Sequence, residues 1–174
     1  LTTLQEEIDR SKEDFISHYS KNYSDPPYPP AWMSLEVVSM GLLSKMFENL
    51  KLGAEKQAIL WHFGLKKIDI LENWMLCFTA LRNICAHHSR VWNRRLTKIK
   101  VPYDTVDEFL MNKNPQPNKL YMTLSCMVYM LKRINPNCSF IGSIKELIQS
   151  FDEPSQILKD MGFPLNWEEE KLWN

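Results

Sequence analysis

Four prolines in five positions, Pro26, Pro27, Pro29 and Pro30, constrain the fold more than any other stretch of this chain. A proline inside a helix removes a backbone bond and clashes with the preceding turn, so no helix crosses this segment. The residues before it have a helical period: Leu4, Ile8, Phe15, Ile16 and Tyr19 predict a helix over 3–20. Residues 1–30 therefore read as an N-terminal helix with a proline-rich linker. Because the chain starts at Leu1 rather than methionine, they are expected to be the end of a longer N-terminal region. Residues 31–174 read as the main helical core.

Within that core, Leu35, Val38, Leu42, Met46 and Leu50 keep one face of a helix predicted over Met33–Leu50, with Ser34 as its cap. Gly53 breaks it, and Ala54–Phe63 forms a shorter helix before Gly64. A long helix is predicted over Asp69–Arg95, where Asp69 and Glu72 have the spacing of a capping box. A turn and a short helix are expected over 102–111, and NPQPN at 114–118 is a loop. Leu120–Ile134 is a helix closed by Asn135-Pro136. Short helices follow over Ser143–Phe151 and Pro154–Met161, with Pro154 at a first helical position and Gly162 as a C-terminal cap. Only five glycines occur in 174 residues, and no regular strand-and-turn pattern appears. The expected fold class is all-α, a single-domain bundle around the 33–50, 69–95 and 120–134 helices.

Twenty-one basic and 21 acidic residues cancel, so no global positive field pulls the chain onto nucleic acid or an anionic membrane. Locally the balance fails. No acid lies between Asn73 and Tyr103, where Arg82, Arg90, Arg94, Arg95, Lys98 and Lys100 all fall. A neutral chain with one cationic stretch suggests an anion handled at a site. No apolar run approaches the roughly 20 residues that span a bilayer, so no membrane partner is expected. Cys77, Cys85, Cys126 and Cys138 form no C-x-x-C pair and no secretory leader is visible, which points to free thiols and a cytoplasmic location.

On a helical wheel of about 100° per residue, Arg82, Asn83, Ala86, His87, Arg90, Asn93 and Arg94 fall within an arc of roughly 140°. The opposite arc collects Ile70, Leu71, Trp74, Cys77, Phe78, Leu81, Ile84, Cys85, Val91 and Trp92. His88 lies on that apolar side and reads as a satisfied, partly buried structural histidine. His87 lies with the arginines, and two readings stand for it: a proton-transfer group or part of a solvated face. Arginine matches phosphate oxygens in bidentate fashion, and histidine moves a proton near neutrality. Together they suit metal-free RNA cleavage, in which a 2′-hydroxyl attacks its own phosphate. One histidine per helix leaves a second acid or base to be found, which a symmetric dimer would supply.

Glu36 sits in an otherwise apolar stretch; it either reaches Arg82 or His87 across the bundle or simply faces solvent. The Cys85-Ala86-His87-His88 run has no second ligand pair for zinc, so no metal and no cofactor are expected. Cys85, on the apolar arc, is a poor nucleophile partner for a histidine of the same helix. No glycine-rich phosphate loop supports nucleoside-triphosphate hydrolysis. Tryptophans and methionines read as core, Trp92 among them, with Trp167 and Trp173 as surface anchors.

The stretch Arg82-Asn83-Ile84-Cys85-Ala86-His87 resembles the R-x4-H motif of HEPN domains (higher eukaryotes and prokaryotes nucleotide-binding). The longer RNICAHHSRVWNR string, with the upstream PPAWMSLEVVSMGLLSKMFENL that holds Trp32, Glu36 and Gly41, is similar to the Abi-like abortive-infection proteins of the AbiD/AbiF group, bacterial phage-defence and toxin–antitoxin factors. The likeness spans about residues 15–170. It implies a HEPN-like helical bundle and a metal-independent endoribonuclease acting as a homodimer on RNA. Carried onto this chain, Arg82 would hold the scissile phosphate, His87 would transfer the proton and Asn83 would orient either one. Arg90, Asn93 and Arg94 would bind flanking phosphates, with Glu36 and His88 in support. A different class of function also fits: a non-catalytic RNA-binding or protein-interaction module, partnered by an antitoxin RNA or protein.

Overall fold

The computed structural model describes residues 2–102, 109–110 and 116–174. Among them every regular element is an α-helix or a 3-10 turn, so the chain is all-α. The elements expected over 102–111 and the start of the 114–118 loop lie largely outside the described residues. The chain separates into two compact units, Leu1–Leu50 and Lys51–Asn174, so the proline segment lies inside the first.

The first unit holds α1 (Thr2–Arg10), α2 (Asp14–Asn22), α3 (Ala31–Val37) and α4 (Met40–Asn49). The single helix expected over 3–20 is thus two. Ser11, whose hydroxyl accepts from Glu13 N at 3.3 Å, offers the backbone a local alternative to helix. Likewise the helix expected over 33–50 breaks at Val38, which is extended (φ −79°, ψ 148°). Ser34 is no cap: it is buried within α3 and donates to the Pro29 and Pro30 carbonyls. The cap is Ser39, whose hydroxyl accepts from Leu42 N at 3.2 Å. Ser39 in turn donates both its N–H and its hydroxyl to the Glu7 carboxylate. A partner 32 residues away therefore ends one helix and starts the next, against the apolar period. Tyr19 ties down the proline segment by donating to the Pro26 carbonyl at 2.7 Å and the Tyr28 carbonyl at 3.0 Å.

The second unit holds α5 (Ala54–His62), α6 (Ile68–Ala86), α7 (Leu120–Ile134), α8 (Phe140–Gln149), α9 (Pro154–Asp160) and two 3-10 turns, Trp167–Glu169 and Lys171–Trp173. Helix α6 packs on α7. Ile70, Leu71, Trp74, Cys77 and Leu81 of α6 are buried, as the wheel required, facing Tyr121, Met122, Cys126, Val128 and Tyr129 of α7. Trp74 meets Tyr129 edge-on at 5.8 Å. Trp167 and Trp173, expected at the surface, are buried at 4% and 0% exposure. Trp173 stacks on Tyr121 and donates its indole N–H to Ser125 Oγ at 3.2 Å, because the two 3-10 turns fold the acidic tail back over α7. Lys56 of α5, 2% exposed, pairs with Glu72 of α6 at 2.7 Å. A buried ammonium needs such a partner, so Glu72 serves this ion pair. Asp69 is not the N-cap: that position is Lys67, without a side-chain cap bond.

Candidate functional site

Helix α6 stops at Ala86, nine residues short of the predicted end. His87 is its C-cap (φ −90°, ψ 15°) and His88 turns left-handed at φ 51°. The closing bonds are His88 N to Cys85 O at 2.9 Å and Ser89 N to Ile84 O at 3.0 Å, the pair that defines a Schellman stop. That stop normally takes glycine, and here a histidine fills it. Past it, Val91–Arg94 forms a turn closed by Arg94 N to Val91 O at 3.2 Å, with Asn93 at φ 49°. Asparagine is among the side chains that best tolerate this conformation.

The wheel therefore holds only as far as His87, and Arg90, Asn93 and Arg94 stand on the loop that follows. Arg82, Asn83, His87, His88, Arg90, Asn93 and Arg94 are all exposed. His88 is not packed among Leu81 and Cys85, and Cys85 itself is exposed. Trp92, expected in the packed stripe, is 40% exposed, with the Arg90 guanidinium 5.9 Å from its ring centroid. Arg82 Nη1 donates to Asn83 Oδ1 at 3.1 Å, which turns Asn83's two amide protons away from its neighbour. Among the described residues the His87 ring makes no hydrogen bond, and Arg82, Arg90, Arg94, Arg95 and Lys98 make no ion pair. Exposed cations with no carboxylate partner among the described residues are suited to binding an anion. Glu36 is exposed on α3, in the first unit, while Arg82 and His87 belong to the second.

Beyond the loop, the chain returns along α6 as an extended segment, Leu96–Pro102, held by α6 side chains. Asn73 Oδ1 accepts from Lys100 N at 2.6 Å and Asn73 Nδ2 donates to Lys98 O at 3.2 Å. The Trp74 indole donates to Lys100 O at 2.7 Å. Lys100 Nζ donates to Asp69 Oδ2 at 2.6 Å, which holds the Asp69 carboxyl below its ordinary value. Burial pushes the Cys77 thiol, beside Thr97 and Lys98, up to about 11. On the other side, Leu96 N and Ile99 N donate to the Asn118 and Pro117 carbonyls at 2.8 and 2.9 Å. Both ends of the basic loop are thus fixed, one by helix α6 and the other by this segment.

The family model for Abi-like proteins matches residues 1–93, more than half of the 174 residues. The chain belongs to the Abi-like protein family. Neither a curated protein nor a solved structure matches it. In this Abi-like chain the match runs from α1 through the end of α6 and the turn as far as Asn93, so it includes Arg82, Asn83, His87, His88 and Arg90. Arg94 and the returning segment lie beyond it. Among the described residues of this Abi-like chain no helix is long and apolar enough to cross a membrane. Sequence reasoning missed Asn73 as the clamp of the returning segment, and Lys119, which donates to Asn93 Oδ1 at 3.1 Å. The one local signal for Lys119 is a cation at a helix start, where it is disfavoured.

Proposed function

We propose that this Abi-like chain is a metal-independent endoribonuclease of bacterial phage defence, of the abortive-infection or toxin–antitoxin type. What supports the reading is the end of α6: Arg82, Asn83 and the C-cap His87 are exposed, and the loop that follows carries arginines with no carboxylate partner among the described residues. His87 takes the proton from a ribose 2′-hydroxyl, whose oxygen attacks the adjacent phosphorus. Arg82 stabilises the charge that builds on the phosphorane, and Asn83 orients the phosphate. The 5′-oxygen leaves with a proton, and the product is a 2′,3′-cyclic phosphate. Arg90, Asn93 and Arg94 hold flanking phosphates.

Arg82 and His87 are five positions apart, which is about 140° around a helix axis. The second proton-transfer group is the same histidine of a second copy in a homodimer, with His88 in support. Incubating RNA in EDTA with the unsubstituted chain, Arg82→Ala and His87→Ala tests this. Cleavage should fall by roughly 10²-fold or more in each variant. Equal cleavage by all three, or none by the unsubstituted chain freed of any antitoxin, would sink the nuclease.

That same angular separation favours a second reading, in which the loop binds RNA or an antitoxin partner and cuts nothing. Binding that weakens steeply with salt while the RNA stays intact would select it.

A further inference from the structure

Lys119 is the N-cap of α7 (φ −108°, ψ 159°) and makes no side-chain cap bond there. That position favours serine, threonine, aspartate or asparagine, and the partial positive charge of a helix start repels a cation. The ammonium reaches elsewhere. It donates to the Asp160 carbonyl at 2.8 Å, at the C-terminal end of α9 where a cation is welcome, and to Asn93 Oδ1 at 3.1 Å. Its stem lies over Gly162, at φ +84°, where a Cβ would stand 2.7 Å from Lys119 Cβ. A residue that breaks a local preference while bridging two distant elements marks a position with another task.

A carboxamide has an accepting edge and a donating edge, and an ammonium can only donate. The oxygen of Asn93 must therefore face Lys119, and both Nδ2 protons are left without a partner among the described residues. A phosphate oxygen only accepts, so this orientation suits phosphate and the flipped one repels it. We propose that Lys119 is a positioning residue for RNA. It holds Asn93, at the left-handed corner of the loop, with its donor edge free for a phosphate, and it keeps the amide from turning over. This rests on the RNA reading above.

The test uses the full chain, Lys119→Met and Lys119→Arg, a single-stranded oligoribonucleotide that is bound without being cut (2′-deoxy at the scissile position), and the Asn93 side-chain amide signals in nuclear magnetic resonance. In K119M those signals should move toward those of a free asparagine. Affinity should fall about tenfold, the size of one hydrogen bond to a charged group. The salt slope should not change. K119R should restore both, and K119M should add nothing in an Asn93→Ala background. A slope lowered by about 0.7 would mean that Lys119 touches a phosphate itself, which overturns the positioning role. Amide signals unmoved in K119M overturn it as well, whatever the affinity does. Absence of RNA binding by the unsubstituted chain would instead sink the reading beneath it.

Discussion

At position 88 a histidine does what glycine does at many helix ends. A side chain in the left-handed region crowds the following carbonyl and costs about 1–2 kcal/mol, while glycine adopts it freely. His88→Gly should therefore stabilise the chain by about 0.5–1 kcal/mol after the extra freedom of the unfolded glycine is deducted. Thermal unfolding checks it: a midpoint a few degrees higher is expected, and a lower one would show that the imidazole makes a contact worth more than the strain. The stop itself was not legible in sequence. No glycine or proline falls between Gly64 and Pro102, and the apolar period runs on through Val91 and Trp92. The residue types of the site were legible, because arginine, asparagine and histidine carry their chemistry wherever they stand. Their shared helical face was not, since it depended on the helix continuing to Arg95.

Elements read best where their signals are local. Leu120–Ile134 was legible to the residue from its apolar run and the Asn135-Pro136 behind it. Breaks supplied from far along the chain were invisible, as where Glu7 accepts from Ser39. The returning segment Leu96–Pro102 belongs to that second kind, and its attachment depends on pH. The depressed Asp69 carboxyl adds stability above its unfolded value near 4, and this is lost as pH falls through the lower folded value. The raised Cys77 thiol works in the opposite direction. Its neutral form is kept in the fold, so stability is lost as pH climbs from the ordinary 9.0 toward about 11. The Asp69–Lys100 pair is about half exposed, so Asp69→Asn should cost less than about 1 kcal/mol at neutral pH. Urea unfolding across pH checks this: the difference from the unsubstituted chain should vanish in acid, and a difference that persists below pH 3 would assign the effect to something other than charge.

The whole molecule is all-α because its strongest breakers and periods are written locally, and the fold class was legible for that reason. How the tail behaves was not. Trp167 and Trp173 read as surface anchors, yet both enter the core of the second unit, and Glu170 between them is buried as well. Trp173→Ala removes a fully buried ring with its stacking on Tyr121 and its bond to Ser125. It should cost about 3–5 kcal/mol, read as a fall in the urea midpoint, and a cost under 1 kcal/mol would mean that the tail is dispensable. The packing of Lys119 over Gly162 has one more outcome. A side chain at position 162 would be strained by its own backbone, at φ +84°, and would press on the lysine lying over it. If Lys119 positions Asn93 as proposed, a one-codon change there would displace the lysine that holds that amide, and an inherited lesion in the last helix's cap would look, to anyone scoring phenotype, like damage to the basic loop.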